Sequence, residues 1–595
     1  MERTHTNNND ILTRLFFKLL PVQVLIVAMG AVNSIVDGAV AGRCIDSGTV
    51  GVVGLYFSMV GLFDATGNVL LGGCSVLCGH SMGSGDMKKT DGIFSLDVLL
   101  TLALGVFYTL AGFLIPGTIA DMLGANEELK AALITYVIGY SIGIVPKLLA
   151  QQIAFFLQME RQSTRGYIGV AGMIISNIVL NLVFVIVFKL GVFGLAIATS
   201  LSNWIYLLIL LPYYLAGRSQ IRFKKNAIEW KTTWDIIKIG FPGALLVICL
   251  SIRGMVLNRI LLKYAGSPGL EAQSALNMMN GLFVAFALGV GSTLRMLGSV
   301  FFGEEDREAL KRLMKIAAIK TLPLSLLVTA VVCLVSTPVT LVFFPDRNSE
   351  VFSLSRELFV IYGLCIPLIV LCQVFTNYLQ AGRHTVYVNI VSVFDGFFSM
   401  LIPSAILAPV LGARGVWLAN PIGIILTLLL TVGYVIFCLK RFPKGLDEWM
   451  LLKPDFGVPE KDRLDLLIND MRDVTKTAET VQEFCKGHEI LGKKAYYAAL
   501  CLEEMSGNVV RHGFSADDKD HTVETKVILK DDDIMLRIKD DCIPFDPKER
   551  AELITDDDPV KNIGLRMTMA ISDEMTYQNL MGLNVLTLRI ANKGA

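Results

Sequence analysis

The first 442 residues or so consist of long apolar segments separated by short polar loops. A membrane-spanning helix needs roughly 20 apolar residues, and about twelve segments reach that length. They lie near 11–42, 52–79, 93–119, 129–158, 166–188 and 192–216, and then near 233–263, 272–302, 316–344, 353–380, 385–409 and 414–440. Backbone amides in lipid must be hydrogen-bonded within their own segment. The pattern therefore predicts an all-α polytopic membrane protein built from two pseudo-symmetric halves of about six helices each.

The charges in the loops predict the orientation of the chain. Lys and Arg cluster after the even-numbered segments, whereas the alternate loops are poorer in them and contain acids such as Asp46 and Asp121. By the positive-inside rule both termini face the cytoplasm. We expect a multi-pass protein of a prokaryotic cytoplasmic membrane, surrounded by lipid and without a cleavable signal peptide. Because topology explains the basic loops, no nucleic-acid partner is expected.

An internal repeat contains the most unusual residue of the membrane part. The stretch 21–43 recurs as 242–263, and the position of Asp37 in the first copy is occupied by Asn258 in the second. A lone carboxylate at the bilayer centre costs about 2.5–3.5 kcal/mol on insertion scales, so Asp37 requires a partner, a water-filled cavity or a proton. Duplicated halves are typical of secondary transporters, whose substrate and ion sites lie near the midplane.

The composition changes after residue 442 to that of an ordinary soluble domain. Strands are predicted near 464–468, 523–529, 533–539, 574–578 and 583–590, and helices near 474–487, 490–511 and 563–572. This order predicts an α/β sandwich. We divide the chain into a first half (1–220), a second half (221–442), a linker (443–459) and a C-terminal domain (460–595).

Three short motifs in the C-terminal domain point to nucleotide chemistry. Glu504, Asn508 and His512 follow one another at intervals of four and share one helical face. Asp540 ends a predicted strand, and Gly564 opens a helix whose free N–H groups suit phosphate. An acid and an amide on one face suit Mg²⁺ that is also bound by phosphate oxygens.

The membrane part resembles the MATE (multidrug and toxic compound extrusion) family. The resemblance rests on "VNSIVDGAVAGR" at 32–43, "SNIVLNLVFV" at 176–185, "GVFGLAIATSLSNW" at 191–204 and "QAGRHTVYVNIVSVF" at 380–394. It implies an antiporter that uses an inward proton or sodium gradient to export drugs or other small organic compounds, with no ATP used in the transport step.

The resemblance also implies a coupling site on the first, fifth and sixth helices. Its residues here are Asp37, Asn177, Asn181 and Thr199, and Asp64 is a further buried acid on the second helix. The family often has an aspartate where Asn181 stands, which would leave one carboxylate instead of two. The structural alternatives are that Asp37 pairs with Arg43 and that the asparagines only join helices.

The C-terminal domain resembles the GHKL ATP-binding fold, most closely the anti-sigma-factor serine kinases. The matching strings are "EEMSGNVVRHGF" and "DDCIPFDP". The resemblance implies Glu504 as a general base or water-orienting acid, Asn508 as the Mg²⁺ ligand, Asp540 as the adenine partner and Gly564 as a phosphate contact, with His512 beside the nucleotide. Cys542 and Asn562 stand where the family usually has glycine.

Three functions remain open at this level. The first is a cation-coupled exporter whose cytoplasmic domain binds ATP and regulates transport. The second is a membrane sensor whose C-terminal domain phosphorylates a regulator, with a STAS-domain anti-anti-sigma factor or a sigma factor as partner. The third is a flippase for a lipid-linked substrate. Whether the C-terminal domain is an enzyme, as a serine/threonine kinase or an ATPase, is likewise left open.

Overall fold

The computed structural model describes residues 11–40, 45, 47–123, 127–160, 162–217, 219–490, 492–515, 521–530, 533–547 and 563–591. The first half contains α1 (Ile11–Val40), α2 (Ser47–Gly83), α3 (Met87–Leu114), α4 (Pro116–Met122), α5 (Glu127–Ser141), α6 (Ile144–Met159), α7 (Ser163–Asn181), α8 (Gly191–Leu210) and α9 (Pro212–Leu215). The second contains α10 (Thr232–Gly303), α11 (Arg307–Lys315), α12 (Leu322–Phe343), α13 (Glu350–Leu364), α14 (Ile366–Ala381), α15 (Thr385–Val393), α16 (Ser399–Leu411) and α17 (Ala413–Leu439). The short helix α18 (Leu446–Trp449) lies in the linker.

The predicted polytopic architecture is confirmed. In the described part of the chain, nine helices are long and apolar enough to cross a membrane, and two bent pairs raise the total to eleven. The longest, α10, has 72 residues and breaks at Gly266, whose φ is 64°. Glycine adopts this conformation readily, and Pro268 follows it. This single helix therefore contains the two segments that the sequence predicts near 233–263 and 272–302.

The two halves share backbone features as well as sequence. Gly191 and Gly412 are separated by the same number of residues as Pro21 and Pro242, and their φ values are 57° and 58°. The fifth span of each half changes from α-helix to π-helix, over Leu182–Val187 in the first and Phe394–Phe398 in the second. Such π-helical turns are frequent at functional sites.

Close backbone contacts join the halves where α2 and α10 end. A Cβ atom on Gly83 would lie 2.0 Å from the carbonyl oxygen of Val300, and one on Gly303 would lie 2.2 Å from that of His80. Only glycine allows this approach, as is common where small residues line helix interfaces in membranes. The C-terminal domain lies at this end of the bundle, which we call the tail side, and there the two halves are closed against each other.

The C-terminal domain is the predicted α/β sandwich. Its strands are β1 (Arg463–Ile468), β2 (Val523–Lys530), β3 (Asp533–Asp540), β4 (Glu574–Leu580) and β5 (Leu583–Ala591), and they form an antiparallel sheet in the order β1-β2-β3-β5-β4. Its helices are α19 (Met471–Gly487), α20 (Gly492–Asn508) and α21 (Ile563–Ile571). Side chains alternate across a strand. Ile534, Leu536 and Ile538 of β3 therefore join the core beneath the helices, while Arg537 and Lys539 lie on the opposite face.

Candidate functional site

The structure brings Asp37 together with three polar residues of α7 and α8. The amide of Asn181 donates to one carboxylate oxygen of Asp37 at 2.8 Å, and the hydroxyl of Thr199 donates to the other at 3.0 Å. Asn177 lies between them, accepting from Asn181 and donating to Thr199 at 3.2 Å each. We call these four residues the Asp37 cluster. All are buried.

The cluster has the donor and acceptor composition of a small-cation site. Its one ionisable group is a carboxylate that is held by two hydrogen bonds. The carbonyl oxygen of Asn181 is buried and has no hydrogen-bond partner among the described residues. A buried acceptor without a partner is costly unless a cation, proton donor or water occupies the adjacent space. The π-helical turn begins directly after Asn181, so the backbone changes geometry at the cluster.

Two of the residues predicted for the nucleotide site, Glu504 and Gly564, meet in the C-terminal domain. Glu504 of α20 lies directly against the start of α21, and a Cβ atom on Gly564 would lie 2.0 Å from its Oε2 atom. Asn508 ends α20 half-buried, and His512 follows in a π-helical turn and is exposed. Glycine at 564 is therefore required for the carboxylate and the helix start to be neighbours. An acid beside free helical N–H groups suits a phosphate-bound Mg²⁺.

Asp540 is buried at the end of β3. Its carboxylate accepts from the side-chain amide of Asn584 at 2.7 Å and from the backbone N–H of Cys542 at 3.0 Å. Burial raises the pKa of Asp540, although both hydrogen bonds act to lower it. Cys542 is buried, and its side chain packs against Gly513, where a Cβ atom would lie 2.9 Å away. The other departure from the family pattern, Asn562, lies outside the described residues.

Comparisons with known proteins show the family to which each part of the chain is similar. The sequence profile of the MatE family matches residues 24–187 and 242–403, together more than half of the chain. The chain belongs to the MATE family. The profile of the histidine kinase-like ATPase domain matches residues 468–590, so a MATE membrane part precedes a domain of that type.

The curated relatives are similar to part of the chain. The multidrug export protein MepA of Staphylococcus saprophyticus is 26% identical over 229 residues, which are 37% of this chain and 49% of the relative. MepA of Staphylococcus aureus is 27% identical over 228 residues, with the same shares. The chain thus spans about half the length of the curated relatives it matches.

Solved structures share the fold of the MATE part. A multidrug resistance MATE family transporter of the MOP superfamily in an outward-facing conformation has a TM-score of 0.67 at 20% identity, covering 72% of this chain and 96% of that one. A MOP superfamily transporter from Pyrococcus furiosus has a TM-score of 0.66 at 20% identity with the same coverage. The low identities limit these likenesses to the fold.

The prediction that Asp64 of the MATE part is a buried acid is wrong, because its side chain is 39% exposed. Its carboxylate pairs with the ammonium group of Lys147 on α6 at 2.7 Å. In the described part of the chain no hydrogen bond joins it to Asp37. The sequence indicates that Lys147 needs a partner, since it is a cation well inside the apolar segment 129–158, but it does not indicate which one. Arg43, the alternative partner considered for Asp37, lies outside the described residues.

Two further acids of the MATE part lie in apolar segments outside the predicted coupling site. Asp97 of α3 is fully buried and accepts from the thiol of Cys74 at 3.3 Å, while its second oxygen has no partner among the described residues. In the second half, Asp395 lies in the π-helical turn and accepts from Thr427 at 3.1 Å. Arg253 donates to its backbone carbonyl at 3.0 Å. Each acid is a single charge in an apolar segment, and that signal was available for both.

Proposed function

We propose that the protein is a proton- or sodium-coupled antiporter that exports drugs or other small organic compounds across the cytoplasmic membrane of a prokaryote. The observation that carries the proposal is the buried Asp37 cluster, in which one carboxylate accepts hydrogen bonds from two helices. Membership of the MATE family supports it. So do the staphylococcal relatives, which are named multidrug export proteins.

The geometry of the cluster supplies a physical means of coupling. Burial disfavours a charged carboxylate, so Asp37 gains from taking up a cation. A proton turns one carboxylate oxygen from acceptor into donor, whereas sodium draws on the oxygen atoms of Asp37, Asn181 and Thr199. Either cation replaces hydrogen bonds that tie α1 to α7 and α8. Occupancy of the cluster is thereby linked to the positions of these helices, as alternating access requires.

Transport by purified protein in proteoliposomes tests this proposal. Export of a fluorescent organic cation is measured under an imposed proton or sodium gradient. We expect Asp37→Asn to abolish the acceleration by the gradient. The matched control is Asp121→Asn, because Asp121 pairs with Lys130 at the surface and should leave the acceleration unchanged. Full acceleration in Asp37→Asn under both gradients would refute the assignment of Asp37.

We further propose that the C-terminal domain binds ATP with Mg²⁺ in the cytoplasm and regulates transport. Bound Mg²⁺ would neutralise phosphate charge. Asn508 would bind the metal, Glu504 would orient water or accept a proton, and Asp540 would accept a hydrogen bond from adenine. Gly564 would approach the phosphates, and His512 would lie at the edge of the site. The contact between Glu504 and Gly564 supports this arrangement.

The contact between Glu504 and Gly564 also favours a second candidate function. A domain that keeps an acid at the start of a glycine-led helix is equipped for phosphoryl transfer as well as for binding. The MATE part would then detect a ligand, and the domain would phosphorylate a STAS-domain or sigma-factor partner. Glu504→Ala separates the two functions. Transport that survives this substitution while phosphorylation of a partner is lost identifies a signalling output, and unchanged phosphorylation rejects it.

A further inference from the structure

The face of the sheet opposite the helices carries buried charges. Lys526, Arg537 and Lys539 are each less than a tenth exposed, although they lie close together on adjacent strands. Lys526 is directly opposite Arg537, and Lys539 lies two residue pairs further along. Buried cations are costly unless they are paired. Their partners come from the loop between α10 and α11, at the tail side of the second half of the MATE part.

Consecutive acids of this loop pair with the sheet. Glu304 lies 2.6 Å from the ammonium group of Lys539 and 3.6 Å from the guanidinium of Arg537. Asp306 pairs with Lys526, and both side chains are almost fully buried. Burial acts to raise the pKa of Asp306, but the ammonium groups of Lys526 and Lys539 hold it well below its usual range.

The same domain also contacts the first half. The backbone N–H of Met581, in the turn between β4 and β5, donates to the carbonyl of Met159 at the end of α6 at 2.7 Å. Asp541, directly after β3, pairs with Arg14 of α1 at 3.3 Å. The turn also packs into the apolar core of the membrane part. One rigid sheet therefore bridges both halves at the tail side, where α2 and α10 are already closed.

Among the described residues, the loop after α2 has no acid that pairs with the sheet as Glu304 and Asp306 do after α10. The loop after α2 places Ser84 and Gly85 where the loop after α10 has Glu304 and Glu305. The aspartates that follow, Asp86 and Asp306, both cap the next helix by accepting a backbone N–H. The two loops thus share a capping role, and only the second adds the acid that pairs with Lys539.

We propose that the C-terminal domain has a further function as a clamp, in which the sheet holds the tail-side ends of the two MATE halves together and so favours the state closed to the cytoplasm. The clamp consists of Glu304 and Asp306 with Lys539 and Lys526, and of the contacts of Met581 and Asp541 with the first half. It requires no bound nucleotide. It rests on the proposed alternating access, because opening toward the cytoplasm separates the ends that the sheet bridges.

The test measures the distance between the two halves in the full-length protein. Spin labels are placed at the exposed positions Lys88 and Arg383, in a chain whose accessible cysteines are replaced by serine and which is reconstituted in nanodiscs. Pulsed electron paramagnetic resonance then gives the populations of the closed and open states. We expect Lys539→Glu to raise the open population at least tenfold, and Lys539→Gln, which is less disruptive to folding, to raise it less.

Two further variants decide whether the ion pair is the cause. Glu304→Lys combined with Lys539→Glu restores opposite charges and should return the population to that of the unmodified protein. The matched control is Lys530→Glu, because Lys530 pairs with Glu305 at the surface, where both are about half exposed. It should leave the population unchanged.

The outcomes separate the clamp from the proposed transport. An unchanged distance distribution in Lys539→Glu and Lys539→Gln overturns the clamp, even where transport in proteoliposomes is normal. A double variant that stays as open as Lys539→Glu overturns the role of the pair. Absence of transport by the unmodified protein overturns the proposed function, while the distances still report on the clamp.

Discussion

The buried pair of Lys526 and Asp306 gives a quantitative prediction. The side chain of Lys526 is 5% exposed and that of Asp306 is 4% exposed. Lys526→Met keeps the aliphatic stem and removes the charge, which leaves the carboxylate of Asp306 buried without its main partner. Breaking a buried ion pair from one side costs about 3–5 kcal/mol. Docking of the C-terminal domain on the MATE part should weaken by an amount in this range.

The remaining contacts of Asp306 place the expected loss of docking free energy at the low end of this range. Its carboxylate still accepts the backbone N–H of Ala309 at 3.0 Å, and Lys539 still contributes an attractive charge. A loss of about 3 kcal/mol corresponds to a roughly 100-fold larger equilibrium constant for undocking, since about 1.4 kcal/mol is a factor of ten. The exposed pair of Lys530 and Glu305 contributes about 0–1 kcal/mol, so Lys530→Met should change that constant less than about sixfold.

Hydrogen–deuterium exchange of the full-length protein in nanodiscs measures both constants. The informative peptide covers the loop from Gly303 to Arg307, because its acids Glu304 and Asp306 are buried by the docked sheet. We expect exchange there to accelerate about 100-fold in Lys526→Met and to stay near the unmodified rate in Lys530→Met. Equal acceleration in the two variants would refute the prediction, because a buried ion pair would then contribute no more to docking than an exposed one.

Three further predictions concern the two sites and the interface. Thr199→Val should shift the cation concentration for half-maximal exchange by about 10-fold to 100-fold, since a hydrogen bond to a charged group contributes about 1.5–3 kcal/mol. The shift is downward for a proton, because the hydroxyl stabilises the charged carboxylate that the proton neutralises, and upward for sodium, which loses an oxygen ligand. Thr199→Ser should not shift it, and equal values in the two variants would contradict the role of the hydroxyl. Gly564→Ala should weaken ATP binding by the full-length protein at least tenfold, because the added Cβ atom would displace the carboxylate of Glu504. An unchanged affinity for ATP would contradict the role of the contact between Glu504 and Gly564. The contribution of the Lys526–Asp306 pair to docking should be constant between about pH 5 and 8, because a carboxyl with a lowered pKa loses its contribution only as the pH falls through that pKa, and an ammonium with a raised pKa loses it only at high pH. The pKa of Asp306 lies well below 3.8 and that of Lys526 above 10.5, so the difference in exchange protection between the unmodified protein and Lys526→Met should be the same at pH 8 and pH 5, and a smaller difference at pH 5 would contradict this.

The sequence predicts the elements well because their signals are local. Apolar runs mark the spans, including the two spans within α10, and alternation marks β2 and β3. Within the Asp37 cluster, the spacing of Asn177 and Asn181 places both on one face of α7, but only the resemblance brings Asp37 and Thr199 to them. Those residues are distant along the chain, and their meeting depends on how α1 and α8 pack.

Other contacts leave no local signal that identifies both partners. The pairing of Asp64 with Lys147 depends on the rotation of α2 against α6, which hydrophobicity does not set. The charges of β2 and β3 are typical of the solvent-exposed face of a sheet, and the acids at 304–306 are typical of a cytoplasmic loop. Neither pattern alone predicts that these charges are buried. Only the docked structure identifies Lys526 and Lys539 as buried cations.

The position of β3 has a consequence for the direction in which information travels. Lys539 and Asp540 are adjacent residues of this strand, and the first pairs with Glu304 of the MATE part while the second lies in the proposed adenine pocket. Free-energy coupling between two sites is reciprocal. If nucleotide at Asp540 alters the docking of Lys539, the state of the transporter must alter nucleotide affinity by the same factor. Export and sensing would then be two consequences of one conformational equilibrium. Nucleotide would control transport where the cell varies the nucleotide, and transported substrate would control nucleotide binding where the cell varies the substrate.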